Sequence, residues 1–468
     1  MQGRSGAGLL GPTRREAVIN GRRSALSASM ADGWRAGPRP ERPRIALTAV
    51  LIAAAMPVRL SADIPVINSV SVLDILLIAA AVTLYLDLAV RPLDPGYRPL
   101  FWILWIPFVL SIISLVWSED RIATLRSVFI YAEGLIAYLF VIRELHGLPA
   151  ARIVTYIKRF AYLLIIPAVL LLLRVPGFGP QEAGLSERSG GYTSYYTRLS
   201  HPILGRSNNL ATVLAFFAPL LLWWGHTHRD RRVMVAGVVT FVAIFLTLSR
   251  GVLLAFLLAG VLYAPFAAGR RRFGRPGLGF KVTALVTLGF TAIAVFYTVN
   301  AETREFFAGR LSADNVTGRS ALIAESLSDI AAQPLLGYGG GAGPDPNPLL
   351  AVDVHNTFLQ QVVYFGLPLG LVASVALCAI AGFFLARRTT PLAGAIGYTV
   401  MVQLVLFLFE SSFEGTVLRV LFYMSVAFAV ALLRAVEEES PAIPGHAGDA
   451  PRHAVRRTGP RSAHVARL

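Results

Sequence analysis

Long apolar runs recur along this chain from Ile45 to Arg434, and they restrict its fold more than any other feature. About 20 helical residues are needed to cross the hydrocarbon core of a bilayer, which is roughly 30 Å thick. The whole chain is 55% hydrophobic and only 15% charged, a balance that soluble globular proteins rarely show. We therefore expect an all-α polytopic membrane domain at residues 45–434.

The apolar runs predict about twelve transmembrane helices, each with ends placed to within a few residues. They lie near residues 45–60, 70–90, 100–116, 125–142, 157–174, 208–224, 233–248, 251–268, 282–299, 356–385, 392–409 and 416–433. Arginine and lysine collect in alternate loops, as the positive-inside rule requires of cytoplasmic loops. Both tails join that basic side, so both termini are expected in the cytoplasm.

The two tails differ from the membrane domain in composition. Residues 1–44 are rich in Arg, Gly and Pro without apolar periodicity, and we expect them and residues 435–468 to be disordered cytoplasmic tails. Met30 is an alternative start to Met1. The net charge of +16 is explained by the inner loops and tails, so no nucleic-acid partner is expected. The single cysteine, Cys378, excludes an intramolecular disulfide.

Two predicted outward loops, at about 175–207 and 300–354, are long enough to suggest a functional role. The second contains an amphipathic helix over Gly318–Gln333, which carries acidic side chains opposite an apolar face formed by Ile323, Leu327, Ile330 and Ala331. We expect this helix to lie across the membrane surface and to roof a cavity. The Gly- and Pro-rich run that follows, PLLGYGGGAGPDPNP, predicts a loop that approaches another part of the protein closely.

Three outward arginines are candidates for binding an anion. Arg250 stands between two spans almost without a loop, and ionisable groups in such positions usually mark a function, although Arg250 could also be a topological anchor. Arg319 and Arg310 lie near the start of the amphipathic helix, where a phosphate site is favoured. The alternative for Arg319 and Arg310 is that each is a solvated loop charge.

A histidine and two carboxylates complete the candidate set. His355 and Asn356 open the tenth predicted span, and a neutral histidine is the side chain most easily used as a base near pH 7. A histidine at a helix start can also be a cap. Glu410 and Glu414 flank the last outward turn and either orient a base or sugar hydroxyl or are simply solvated. No nucleotide or metal motif is present in the sequence, so neither a cofactor nor a metal is expected.

Four segments together resemble the O-antigen ligase family and its Wzy-type polymerase relatives across nearly the whole membrane domain. They are LVWSEDRIATLRS at Leu115–Ser127, LGRSNNLATVLAFFAPL at Leu204–Leu220, TLSRGVLLA at Thr247–Ala255, and the pair GRSALIAESLSDIAAQPLLGYGGG and VHNTFLQQVVYFGLPLG. Each is weak alone, whereas their order and spacing are specific. A Pro-rich run before His355, PDPNPLLAVD, departs from the family pattern.

The resemblance implies a glycosyltransferase of the bacterial inner membrane that acts in cell-envelope polysaccharide biosynthesis, such as that of lipopolysaccharide. Its donor would be a glycan linked to undecaprenyl pyrophosphate, and its acceptor a hydroxyl of lipid A core, of a polysaccharide or of a protein. In this reading Arg250 and Arg319 bind the pyrophosphate, with Arg206 and Arg310 in reserve, and His355 activates the acceptor. Asn209 resembles a residue of a stretch that lines the family's cavity.

Ligase, polymerase and protein-glycosylating activities share these signatures and stay open at this point. A secondary transporter of an envelope precursor or small solute is the alternative, since twelve spans with both termini inside are common in that class. Against it, the two halves show no convincing repeat, and the candidate charges lie at the outer edge. A structural scaffold for envelope assembly would leave the long second loop unexplained.

Overall fold

The structure is a computed structural model, and it describes twelve stretches of the chain. These are residues 45–56, 59–64, 67–88, 95–173, 175, 199, 207–247, 249–268, 313–343, 356–387, 391–409 and 416–439. The chain divides into two compact units, Met1–Ala46 and Leu47–Leu468, and the contacts below belong to the second. The predicted tail 1–44, most of the predicted tail 435–468 and the predicted ninth span, 282–299, lie outside the described residues. Residues 435–439 of the second tail are described, and they belong to the last helix, Thr416–Glu439.

Helices make up nearly all of the described chain. They are α1 (Ile45–Ala55), α2 (Val72–Leu88), α3 (Arg98–Ser114), α4 (Arg121–Leu145), α5 (Ala150–Leu172), α6 (Ser207–Thr227), α7 (Arg231–Leu246), α8 (Arg250–Ala268), α9 (Ala313–Ala332), α10 (Thr357–Ala386), α11 (Pro391–Phe407) and α12 (Thr416–Glu439). A 3-10 turn, Pro95–Tyr97, precedes α3. Each predicted span other than the ninth coincides with one of these helices.

Five of the described helices are long and apolar enough to cross a membrane. They are Arg121–Leu145, Ala150–Leu172, Asn208–Thr227, Thr357–Ala386 and Val417–Glu439. Several shorter apolar helices accompany them, among them Arg98–Ser114 and Leu392–Phe407. The chain is thus a multi-pass membrane protein, whereas the number of twelve spans and the cytoplasmic position of both termini stay predictions.

A small β-hairpin departs from the all-α expectation. Strands β1 (Arg59–Ile64) and β2 (Ile67–Ser71) pair antiparallel, with Arg59 opposite Ser71 and a register irregularity between Ser61 and Ile64. The sequence here had predicted a simple outward loop. Alternating Leu, Ile and Val with Ser around Pro65 is a short-range hairpin pattern that the stronger helical runs on either side conceal.

Close helix packing around α4 and α12 forms the centre of the bundle. A Cβ on Gly134 of α4 would lie 2.8 Å from the ring of Tyr423 on α12, so only glycine admits that ring. The hydroxyl of Tyr423 donates to the carbonyl of Leu104 on α3 at 3.0 Å. This hydrogen bond and the close approach at Gly134 join α3, α4 and α12 to one another.

A polar cluster joins the opposite end of the bundle, where α3 begins and α12 ends. The Tyr97 hydroxyl donates to Glu437 at 2.9 Å, and the Arg387 guanidinium lies 4.2 Å above the Tyr97 ring and 3.7 Å from the Glu437 carboxylate. Arg387 also donates to the carbonyl of Gly96. Burial, followed by the charge of Glu437, raises the pKa of Tyr97, so its hydroxyl stays a donor at neutral pH.

Replacing Glu437 should therefore destabilise the protein. Glu437→Gln removes the charged acceptor of Tyr97 and the partner of Arg387, at a cost of about 1 kcal/mol, and we expect the midpoint of thermal unfolding in detergent to fall by about 2 °C. Glu438→Gln is the matched control, since Glu438 is half exposed and pairs only within its helix, with Arg434. Equal midpoints for the two variants would contradict this role of the cluster.

Candidate functional site

The sequence-predicted site residues fall into two groups. Asn356 is described fully, Asn209 is described as a partly buried residue in the first turn of α6, and Arg250 and Arg319 are described as positions on α8 and α9 without their side chains. His355, Arg206, Arg310, Glu410 and Glu414 lie outside the described residues. Their roles stay predictions.

Asn356 caps helix α10. Its side-chain oxygen accepts from the backbone N–H groups of Phe358 and Leu359, both at 3.0 Å, and its carbonyl accepts from Gln360. Asparagine is among the strongest N-caps because it satisfies the free N–H groups of the first turn. Asn356 therefore fixes the start of α10 at Thr357, two residues after His355 in the chain.

Helix α10 is broken at Gly366, which adopts φ 72° and ψ 173° inside the run Thr357–Ala386. The break frees backbone groups that a continuous helix would have paired. The carbonyls of Val363 and Tyr364 accept from Tyr338 at 3.1 Å and Gly339 at 2.8 Å, and Leu367 donates to the carbonyl of Pro334 at 2.7 Å. The segment that follows α9 thus completes the backbone bonding of α10.

The turn Gly339–Gly341, here called the glycine loop, lies in a seat lined by hydroxyl groups. The N–H of Gly340 donates to Ser114 at 3.0 Å. A Cβ on Gly339 would lie 2.4 Å from Ser118 Oγ, and one on Gly341 would lie 3.1 Å from Ser127 Cβ. The close approach predicted for this run is confirmed. The seat is formed by the end of α3, the loop before α4 and α4 itself, so it includes Ser114 as well as residues of the Leu115–Ser127 segment.

Two acidic groups adjoin the glycine loop at Tyr338. Burial, then the charges of Asp329 and Glu119, raise the pKa of the Tyr338 phenol. The pKa of Asp329 is itself raised, first by partial burial and then by Glu325. The described surroundings of Tyr338 are therefore acidic, and Tyr338 stays a neutral donor there at physiological pH.

Arg419 is a buried cation that the sequence analysis missed. It lies in the first turn of α12, is 3% exposed, and its guanidinium carbon stands 4.0 Å above the ring of Tyr131. Its Nη1 is 3.5 Å from Ser127 Oγ, at the edge of hydrogen-bonding distance. Ser127 also contacts the glycine loop at Gly341, so Arg419 is linked to the seat through Ser127. An arginine inside a predicted span was the signal that could have identified it.

A second buried polar group lies near this arginine. Glu133, in the middle of α4, has one carboxylate oxygen that is buried without a hydrogen-bond partner. Within the part of the chain that the structure describes, no ion pair joins Glu133 to Arg419, but the two side chains are close enough to interact electrostatically. Arg419 thus has Tyr131, Ser127 and a more distant carboxylate around it.

A cavity opens between α6, α11 and α12 near the start of α10. Its volume is only about 20 Å³, and its polar lining is Thr212, Gln403 and Ser425. Gln403 donates to the carbonyl of Thr212 at 2.7 Å. Asn209 lies one turn before Thr212 on α6. The ring of Phe407 in the wall is 6.4 Å from Phe358, two residues after Asn356.

The turn between α7 and α8, which leads into Arg250, is held to the first long loop. Leu199 donates from its backbone N–H to the carbonyl of Leu246 at 2.8 Å. Ser249 is 1% exposed, and its hydroxyl has no partner. Thr247 and Ser249 are therefore buried just before Arg250, whereas Leu246 is 46% exposed.

Residues 235–374 match the model of the Wzy_C family, described as O-antigen ligase. The match runs from α7 through α8 and α9 to the second piece of α10, so it contains Arg250, Arg310, Arg319, His355 and the glycine loop. It does not contain Arg206, Asn209, Glu410 or Glu414. No curated protein matches the chain. The resemblance found in the sequence is confirmed over this segment.

Adding one methyl group to the glycine loop should disrupt its seat. Gly339 has φ +105°, and its Cβ would overlap Ser118, so Gly339→Ala should cost about 1–3 kcal/mol in unfolding free energy. Gly343→Ala is the control, because a Cβ there meets nothing within 4 Å. Thermal unfolding of the purified variants in detergent measures the difference. A midpoint for Gly339→Ala as high as that of Gly343→Ala would show that the loop is not seated as described.

Proposed function

We propose that this chain, whose segment 235–374 matches the O-antigen ligase family, transfers a glycan from undecaprenyl pyrophosphate to an acceptor hydroxyl in envelope polysaccharide assembly. The observation that carries the proposal is the glycine loop. It lies in the connection between α9, which bears Arg319, and α10, which begins just after His355. The connection between the proposed cation and the proposed base is therefore anchored in the bundle at this loop.

The proposed reaction needs few groups from the protein. The acceptor oxygen attacks the anomeric carbon, the bond from that carbon to the pyrophosphate oxygen breaks, and the acceptor proton passes to His355. The pyrophosphate leaves with the bond electrons, and Arg250 and Arg319 stabilise its added negative charge. The sugar–phosphate bond of the donor supplies the energy, so the proposed step requires neither nucleotide nor metal.

Helix α10 begins next to the proposed base. Asn356, which caps the helix, follows His355 directly in the chain. A neutral histidine is suited to accept a proton near pH 7. Helix α9 begins at Ala313, well before Arg319, so Arg319 would bind phosphate through its own charge rather than with the help of the helix N-terminus.

The acceptor is the open part of the proposal. A ligase would act on lipid A core, a polymerase on a growing polysaccharide and a protein glycosylase on a side-chain hydroxyl. The product left after gene deletion separates them: missing capped core indicates a ligase, single repeat units on core indicate a polymerase, and an unchanged lipopolysaccharide directs attention to glycoproteins.

Variants of the three predicted site residues should separate binding from chemistry. We expect His355→Ala to abolish transfer while donor binding is retained, and Arg319→Ala or Arg250→Ala to weaken donor binding at least about tenfold, because each loses a charge-assisted contact to phosphate. Glycan electrophoresis of the complemented deletion strain and binding of labelled donor by purified protein are the two measurements. Arg434→Gln, at the far end of α12, is the control. Full transfer by all three variants would refute the mechanism.

Arg419 should be a positioning residue for this site. Arg419→Met removes a buried guanidinium and leaves the groups around it without their partner, so the midpoint of thermal unfolding should fall, and kcat is compared at a temperature well below both midpoints. Because Ser127 and Tyr131 lose their partner beneath the glycine loop, kcat should fall about tenfold or more with KM nearly unchanged. Arg419→Lys should not restore kcat, since an ammonium lacks the flat guanidinium that stacks on Tyr131. Normal kcat in Arg419→Met would confine Arg419 to a packing role.

A further inference from the structure

Helix α9 buries polar side chains against the rest of the protein and leaves some of its apolar side chains exposed. Ser326 is 1% exposed and Leu322, Asp329 and Gln333 are partly buried, whereas the apolar Ile323 stays 44% exposed. The sequence had predicted that this helix lies across the membrane surface and roofs a cavity. The structure buries the side that carries Leu322, Ser326 and Asp329, leaves Ile323 and Leu327 exposed on one flank of the helix, and leaves Glu325 exposed on the other.

The turn after α9 extends the exposed apolar surface. Leu335 is 70% exposed and Leu336 is 49% exposed. Their backbone lies directly against the break in α10, since a Cβ on Gly366 would be 2.3 Å from the carbonyl oxygen of Leu335. Exposed leucines so firmly anchored cannot turn inwards by a change of loop conformation.

The second piece of α10 continues this surface along the bundle. Leu367, Leu371 and Val375 are 44%, 52% and 65% exposed, and at four-residue spacing they form one stripe. In a multi-pass membrane protein such a stripe contacts lipid acyl chains. Leu335 and Leu336 stand at its beginning, where α10 restarts at Gly366.

The charges of this region decide which part of a bilayer it fits. Residues 321–343 contain the acidic Glu325 and Asp329 and no lysine or arginine. At 100° per residue, Glu325 projects opposite to Ile323, on the polar side. A surface of this kind has little attraction for anionic head groups and binds by burying apolar area among acyl chains.

We infer that the exposed apolar residues of α9, Ile323 and Leu327, and those of the turn after it, Leu335 and Leu336, insert into the bilayer leaflet next to them. Helix α9 is then an interfacial helix continuous with the lipid-facing stripe of α10. If the proposed function holds, the helix that bears Arg319 lies at head-group depth, where the pyrophosphate of a lipid-linked donor would be.

Lipid-attached bromine atoms test the insertion, because they quench a nearby fluorophore only on contact. The free, exposed Cys378 is first replaced by alanine. Single cysteines at Leu327, Leu335, Glu325 and Val375 are then labelled with bimane in the full-length protein and reconstituted in phosphatidylcholine with or without brominated acyl chains. Val375→Cys is the lipid-facing reference, and Glu325→Cys is the control on the polar side of α9.

The expected result is a loss of about half of the bimane emission at Leu327→Cys and Leu335→Cys, comparable with Val375→Cys, and little loss at Glu325→Cys. Unchanged emission at Leu327→Cys with quenching at Val375→Cys would overturn the inference, as would equal quenching at Glu325→Cys. Disulfide-linked dimers of Leu327→Cys together with unchanged emission would identify a second copy as the occupant and overturn it too. Transfer activity is not measured, so the result is independent of the proposed function.

Discussion

Every backbone polar group within a membrane protein must find a partner in the protein, because hydrocarbon offers none. The break of α10 at Gly366 would leave several such groups unpaired. Tyr338, Gly339 and Pro334 provide their partners, and the glycine loop can approach this closely only because Gly339 and Gly341 carry no side chain. The path of the chain from α9 to α10 therefore depends on this backbone pairing.

The same requirement explains the polar residues on α3, α4 and α12. Ser114 accepts from Gly340, and Ser118 and Thr124 share a hydrogen bond beside Gly339. Arg419 reaches the edge of this seat through Ser127. The region of the chain with the best resemblance to a known family is thus supported by residues outside the matched segment 235–374, which include Arg419 and the Leu115–Ser127 stretch.

Hydropathy predicted the helices well, because the length of an apolar run and the charges at its ends are local properties. It did not predict the hairpin at Arg59–Ser71, whose pairing depends on register. The close approach of the run Pro334–Pro348 was predicted from its glycines, but its contact with α3 and α4 was not. Arg419 was not among the predicted site residues. It lies within the apolar run of the last predicted span, 416–433, which was interpreted only as a membrane helix.

The sequence by itself determined a multi-pass helical protein, a segment that matches the O-antigen ligase family and a short set of candidate residues, since hydrophobicity, loop charge and motif order are all encoded along the chain. The tertiary structure decided which side of α9 is buried, where α10 breaks, where the glycine loop is seated and what Arg419 contacts. The last two depend on residues more than 200 positions apart, Gly340 and Ser114 or Arg419 and Ser127, whose separations are 226 and 292. Packing and hydrogen bonding between distant segments, rather than any local pattern, bring them together.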